Sequence, residues 1–276
     1  MRSAGPWVVT LVALAAAGLG ASFAGGPRPL VAAHRGGALL WPENSLLAFR
    51  NALGLDVDYL ECDVHLTADG EVIVLHDPTL NRTTTGRGAV REARLADLAR
   101  LQLKARDGSV TAEPIPTLAA LLDLLKPGRA ELLLEIKVGA DRLRYPGIEE
   151  QVLALVRARG LESRVLVMAF EGETIRRVRE LHPAIRTVLL IAQAPLQRKR
   201  VWPAGSVTRA GQLGAAAVGL NHRLIDADVV AAARPAGLRL AAWTVNNEAD
   251  IRRMIDLGVD VVISDRPDLA LRLVGR

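Results

Sequence analysis

The sequence predicts an α/β protein of the (β/α)8 TIM-barrel class, with a β-hairpin and a small insertion after the second barrel strand. Three observations predict it. Eight short β-prone apolar runs mostly alternate with amphipathic helical patterns, the arrangement that closes a parallel sheet on itself. Setting aside an apolar N-terminus leaves about 250 residues, the usual span of one such barrel. Several of the apolar runs end in charged residues, as expected where barrel strands deliver function at their mouth.

The first strand is Leu30 to Ala33, running into His34-Arg35-Gly36-Gly37 and Pro42-Glu43-Asn44. A helix follows over Ser45 to Leu53, with Asn44 placed to cap it. The second strand is Tyr59 to Val64, with the extended run reaching Leu66. Period-two geometry puts Glu61, Asp63 and His65 on one face, neighbours being about 6.6 Å apart, and Cys62, Val64 and Leu66 on the other. Two carboxylates at that spacing can converge on one metal ion. Thr67-Ala68-Asp69-Gly70 is too short for a parallel crossover, so Glu71 to Leu75 should return as the second arm of a hairpin. With the turn centred near Ala68-Asp69, Asp63 lies opposite Leu75 and Glu61 opposite Asp77. The fold-back then carries His76 towards the carboxylates.

Pro78 to Glu113 stands outside the repeating pattern, with a Thr- and Gly-rich start at Asn81 to Gly88 and an amphipathic run at Glu92 to Leu103. It reads either as an insertion over the barrel mouth that forms part of the substrate cleft or as a plain surface excursion. The remaining strands are Leu132 to Ile136, Val165 to Ala169, Thr187 to Ile191, Ala217 to Leu220, Leu238 to Val245 and Val259 to Ser264. Helical patterns accompany them at Thr117 to Leu125, Glu149 to Arg159, Glu173 to Leu181, Asp226 to Arg234 and Ala249 to Leu257, with Gly160, Gly237 and Gly258 following helix ends. In Glu131 to Val138, Glu135 and Lys137 share a face while Leu134 and Ile136 point away.

Of the 276 residues 50% are hydrophobic, enough to fill a core of this size. A net charge of +5 is compatible with an anionic partner. The basic residues are mostly interleaved with acids, however, and aromatics make up only 3%. Stacking surfaces are therefore scarce, which argues against a nucleic-acid role and leaves open a peripheral contact with a membrane surface. Arg198-Lys199-Arg200 is the local basic cluster. Cys62 is the sole cysteine, so no internal disulfide forms, and alternation turns it towards the outer helices. In residues 1 to 26, Arg2 precedes an apolar stretch from Trp7 to about Ala24, and Ser22-Phe23-Ala24 approximates a small-residue cleavage site. That pattern predicts a signal peptide, or else an uncleaved anchor, and in either case a catalytic domain outside the cytoplasm. The sequence sets no oligomeric state.

Taken in order, His34-Arg35, Glu61 with Asp63, His76-Asp77 and Glu135 with Lys137 supply what hydrolysis of a phosphodiester needs. They offer carboxylates for a hard cation, two imidazoles for proton transfer and cationic side chains for a phosphate. Oxygen-only ligands point to one divalent cation, Mg2+ or Ca2+, rather than Zn2+. Arg35 beside Gly36-Gly37 suits phosphate, because glycine permits close backbone approach and guanidinium offers forked donors. Trp243 is either an apolar wall for the glycerol or alcohol group or ordinary core. Asp265 with Pro267 reads as a helix start. His65 is placed to support the cluster from behind, and His182 and His222 carry no assignment.

The chain resembles the glycerophosphodiester phosphodiesterase family from about Leu30 to Pro267. The resemblance rests on His34-Arg35-Gly36, Pro42-Glu43-Asn44-Ser45, Glu61-Cys62-Asp63-Val64, Thr67 with Asp69-Gly70, His76-Asp77, Arg82-Thr83-Thr84, Ile115-Pro116-Thr117-Leu118, Glu135-Ile136-Lys137, Trp243-Thr244-Val245-Asn246 and Ser264-Asp265 with Pro267. It implies a barrel that uses a divalent cation to hydrolyse glycerophosphodiesters to glycerol 3-phosphate and an alcohol. It further implies that Glu61, Asp63 and Glu135 bind the metal, that His34 and His76 are the acid/base pair, and that Arg35 and Lys137 hold phosphate. Ala169-Phe170 departs from the family's usual Ser-Phe pair, and Ala119-Ala120 stand where an acidic residue is common. Other activities compatible with the same residues are a lysophospholipase D or phospholipase D-like lyase, which needs an apolar groove, and a surface barrel that binds glycerophosphodiesters without turnover.

Overall fold

The computed structural model describes residues 28–192 and 203–276. Among them, eight parallel strands close into a barrel in the order β1 (Leu30–Ala33), β11 (Val261–Ser264), β10 (Arg239–Trp243), β9 (Ala217–Asn221), β8 (Arg186–Ile191), β7 (Val165–Ala169), β6 (Glu131–Ile136) and β2 (Tyr59–Leu66). The ring shuts where Ala32 and Ala33 of β1 pair with Tyr59 and Leu60 of β2. Each expected barrel strand is present, displaced by at most a few residues at its ends.

Alternation sorts every strand into two faces. Val31, Leu60, Cys62, Leu134, Val167 and Val218 point outwards into the large core shared with the helices. Ala32, Tyr59, Leu133, Leu166, Val188, Ala241 and Val261 point inwards and fill the barrel's lower layers. Ala169, the last residue of its strand, belongs to the outward set, so its side chain faces the helices rather than the barrel interior.

The surrounding helices are α1 (Leu46–Gly54), α3 (Leu118–Leu125), α4 (Ile148–Arg157), α5 (Gly172–Leu181), α6 (Ala204–Gln212), α7 (Ala227–Ala233), α8 (Glu248–Leu257) and α9 (Pro267–Leu273), with the short α2 (Leu95–Leu98) in the insertion. In α3 the buried stripe is Leu118, Leu121, Leu122 and Leu125, each such side chain stabilising the fold by about 1.5–3 kcal/mol relative to exposure. Thr117 caps α3 and Asp226 caps α7 through their side chains. The cap of α1 is Ser45, whose Oγ accepts from Ala48 N at 3.0 Å and donates to Pro42 O at 2.7 Å. Asn44, expected in that role, is one residue too early and turns its amide to Asp63 instead.

The hairpin forms as the short turn requires. β3 (Val72–Val74) runs antiparallel to β2 with Val64 opposite Val74 and Leu66 opposite Val72. Leu75 N donates to Asp63 O at 3.0 Å, so Asp63 and Leu75 face each other as expected. Beyond it, residues 78–113 fold on their own small core of Leu80, Val90, Leu98 and Leu103 against Ile73 and Leu75. β4 (Gln102–Lys104) and β5 (Val110–Pro114) form an antiparallel pair there. The segment packs as an insertion on its own core, but none of its residues is among those lining the cleft at the barrel mouth. Among the described residues no helix is long and apolar enough to cross a membrane. The apolar stretch in residues 1 to 26 and the Arg198-Lys199-Arg200 cluster lie outside the described residues.

Candidate active site

The inward alternation that fills the barrel with apolar side chains ends in charge at the C-terminal rim. In β2 the inward series is Tyr59, Glu61, Asp63, and in β6 it is Leu133, Glu135, with Lys137 just beyond. The two strands pair in register with Asp63 opposite Glu135. Carboxylate oxygens of Glu61, Asp63 and Glu135 therefore lie within 4.8 Å of one another, all buried.

Three buried anions this close repel, and the surroundings answer with cations. Lys137 Nζ lies 2.7 Å from Glu135 Oε1 and 3.3 Å from Asp63 Oδ1. Arg35 Nε lies 3.3 Å from Asp63 Oδ2, Arg35 Nη1 donates to Glu43 Oε1 at 3.0 Å, and Arg35 N donates to Glu61 Oε2 at 2.8 Å. Burial works against ionised Asp63, but Lys137 and Arg35 outweigh it and hold this carboxyl well below the usual range. Burial and the neighbouring Asp63 charge push Glu61 up to about 8, and burial also raises Glu135. Asp63 Oδ1 is buried without a hydrogen-bond partner, the lysine contact lacking the required geometry. A divalent cation fits this set. The donors are all hard oxygens, one is unsatisfied, and added positive charge would let all three carboxylates ionise together.

Two imidazoles reach the same cleft. His34, next after β1, lies with Nδ1 2.6 Å from Asp265 Oδ1 and Nε2 3.9 Å from Glu61 Oε2. Burial lowers the His34 pKa, while Glu61 and Asp265 raise it further, so the net shift is upward. His76, next after the hairpin, has Nδ1 2.7 Å from Asp77 Oδ1. An ionised carboxylate only accepts, so each Nδ1 carries a proton and each Nε2 is left to face the cleft. His65 holds His76 from behind. Its Nε2 donates to His76 O at 3.0 Å, and Tyr145 Oη lies 2.9 Å from its Nδ1. Burial pushes His65 down to about 4, which keeps it neutral in that arrangement.

The opposite half of the mouth is apolar. Met168, Phe170, Leu190, Trp243 and Ile263 line the cleft that His34, Arg35, Glu61, His76, Glu135 and Lys137 line from the other side. Trp243 packs edge-on against Phe170 with ring centroids 5.6 Å apart. It lines the cleft and also packs against the barrel's inner core.

Seven of the eight predicted site residues therefore line one cleft, and the eighth, Asp63, is buried against Glu61 and Glu135. Several residues around them were missed as participants. Asn44, with a left-handed φ of 58°, donates Nδ2 to Asp63 Oδ2 at 2.9 Å. Asp265, read as a helix start, orients His34 and is itself held by Asn246 Nδ2 at 2.6 Å, while Pro267 opens α9 as expected. Glu43 and Asp77 were visible only as neighbours of stronger candidates. The signal that could have found them is their type, since each is a carboxylate adjacent to a cation or an imidazole.

Comparisons with known proteins agree with this geometry. The sequence profile of the Glycerophosphoryl diester phosphodiesterase family matches residues 34–269. A glycerophosphodiester phosphodiesterase of Caldanaerobacter subterraneus subsp. tengcongensis is 34% identical over 248 residues, covering 90% of this chain and 98% of the relative. The crystal structure of a glycerophosphodiester phosphodiesterase from Agrobacterium tumefaciens superposes with a TM-score of 0.71 at 28% identity, covering 88% of this chain and 99% of that one. An Oleispira antarctica phosphodiesterase solved in complex with the product sn-glycerol-3-phosphate superposes with a TM-score of 0.75 at 26% identity, covering 90% and 98%. The fold and cleft define a barrel hydrolase. The chain belongs to the glycerophosphoryl diester phosphodiesterase family.

Proposed function

We propose that this protein is an exported, metal-dependent phosphodiesterase that cleaves glycerophosphodiesters to glycerol 3-phosphate and an alcohol, with its own residues in the following roles. Glu61, Asp63 and Glu135 hold one Mg2+ or Ca2+. When bound, that ion neutralises charge on the phosphate's non-bridging oxygens and orients them. Arg35 and Lys137 bind the phosphate, and Trp243 faces the glycerol or the leaving alcohol. His34 removes a proton from the nucleophile as its oxygen bonds to phosphorus; water as nucleophile gives glycerol 3-phosphate directly, whereas the glycerol 2-hydroxyl gives a cyclic phosphate that a second water must open. As the bond from phosphorus to the leaving oxygen breaks, His76, reacting as the imidazolium with Nδ1–H held by Asp77, passes its Nε2 proton to that oxygen.

The observation that carries this reading is the pair of imidazoles, each held at Nδ1 by its own carboxylate at 2.6 and 2.7 Å, beside one buried carboxylate cluster. Both rings are thereby fixed at Nδ1, leaving Nε2 as the atom through which each exchanges a proton. The partner is a small molecule, with substrate recognition divided between the polar and apolar halves of the cleft. Purified protein is expected to release glycerol 3-phosphate from a panel of glycerophosphodiesters and to leave lysolipids intact. Turnover confined to lysolipids would move the assignment to a lysophospholipase D, and no turnover on either class would leave a binding protein.

Export rests on residues 1 to 26 alone. Ser22 and Ala24 are small enough for signal-peptidase recognition, and an apolar run of about 18 residues is marginal for spanning. Mature protein recovered from its host should begin near Gly25. N-terminal sequencing that finds Met1 on membrane-associated protein would assign an anchor instead.

A further inference from the structure

The geometry points to Arg82, a residue of the insertion that touches neither the carboxylate cluster nor the cleft lining, as the positioning residue that sets His76 and Arg35 together. The inference rests on the roles proposed above for those two side chains.

The guanidinium is gripped on two edges. Arg82 Nε and Nη2 donate to Asp77 Oδ2 and Oδ1 at 2.7 and 2.8 Å. Arg82 Nη1 and Nη2 donate to Glu43 Oε2 and Oε1 at 2.8 Å each. Each carboxylate passes the constraint on. Asp77 Oδ1 is the atom 2.7 Å from His76 Nδ1, and Glu43 Oε1 is the atom that accepts from Arg35 Nη1 at 3.0 Å. One planar group thereby fixes the orientation of the proton donor and of the phosphate-binding arginine.

Such an arrangement has a physical rationale. Asp77 and Glu43 are two anions brought to one small region, and without a cation between them each would turn away. A planar fork satisfies both with fixed spacing, which a lysine ammonium cannot do. Arg82 is 47% exposed, so burial does not hold it. Its backbone does. Lys104 N donates to Thr83 O at 2.8 Å, Thr84 Oγ1 donates to Leu80 O at 2.6 Å, and Thr84 bridges Leu103. Thr83 and Thr84 are both buried. The insertion's β4 thus anchors the two residues after Arg82, and presenting this side chain is what the insertion contributes to the site.

Steady-state kinetics of Arg82→Gln, Arg82→Lys, His76→Ala and the double variant Arg82→Gln/His76→Ala on glycerophosphocholine test the assignment, with circular dichroism as the check on fold. Arg82→Gln should lower kcat by about 10- to 100-fold, the range for outer partners that orient a working group, and should raise KM through Arg35. Arg82→Lys should behave the same way, and it carries the test if the glutamine variant does not fold. In the His76→Ala background the Arg82→Gln change should lower kcat by less than about twofold while still raising KM, because residues acting as a unit are non-additive. Losses in kcat that multiply, full turnover by Arg82→Lys, or an unchanged kcat in Arg82→Gln would each overturn the inference while leaving the role of His76 intact. An unchanged kcat in His76→Ala would remove both.

Discussion

Replacing His76 by alanine should lower turnover of glycerophosphocholine by about 10²- to 10⁴-fold, the contribution expected of a general acid. The side chain is partly exposed at the cleft and bonded through Nδ1 to Asp77, so alanine removes the proposed proton donor without emptying a packed core. Metal affinity should change little, since the carboxylate cluster does not include His76. The loss should also depend on the leaving group. A nitrophenyl ester departs as a stable anion and needs little protonation, so His76→Ala should cost it less than it costs a substrate with an ordinary alkanol. Parallel kinetics on the two substrates decide the matter. Equal losses would move His76 to nucleophile activation or substrate placement, and no loss would take it out of the reaction.

Chelation should abolish hydrolysis, and Mg2+ or Ca2+ should restore it, because the proposed donor set of Glu61, Asp63 and Glu135 offers hard oxygens only. Asp63→Asn should weaken cation binding most directly. It removes the charge of the central carboxylate, which Lys137 and Arg35 both face, while keeping the shape that Asn44 bonds. Calorimetric titration of the variant with either ion reads the affinity, and its circular dichroism should match the parent. Full activity in thoroughly metal-stripped protein would falsify the cation's part in the reaction.

Much of this was legible before any coordinates. The barrel strands are apolar runs buried on both faces, so their pattern stands out without knowledge of partners. The hairpin followed from a turn too short for any other connection, and with it the arrival of His76 at the carboxylates. What escaped notice lacked a local signal. α6 contains Gly205, Gly211, Ser206 and Thr208, poor helix formers, and buries chiefly Val207 and Ala210, so its helicity comes from packing on the barrel rather than from its own residues. Asn44 looked like a cap because caps and site ligands draw on the same residue type; only the backbone's left-handed turn at that position decides between them. Asp265 is 231 residues from His34, and no periodicity reports a bond across that distance.

That bond also joins the first strand's end to the last strand's, beside the pairing of β1 with β11. The carboxylates come from β2 and β6, which are neighbours in the ring, so a chain still being assembled could bring them together early. The orientation of His34 has to wait for the final strand and for Asn246 beyond β10. On the proposed role of His34, proton transfer is thereby tied to completion of the ring. On that proposal, a barrel lacking its last strand would keep the β2–β6 carboxylate pairing but leave the His34 imidazole without the Asp265 carboxylate that orients it.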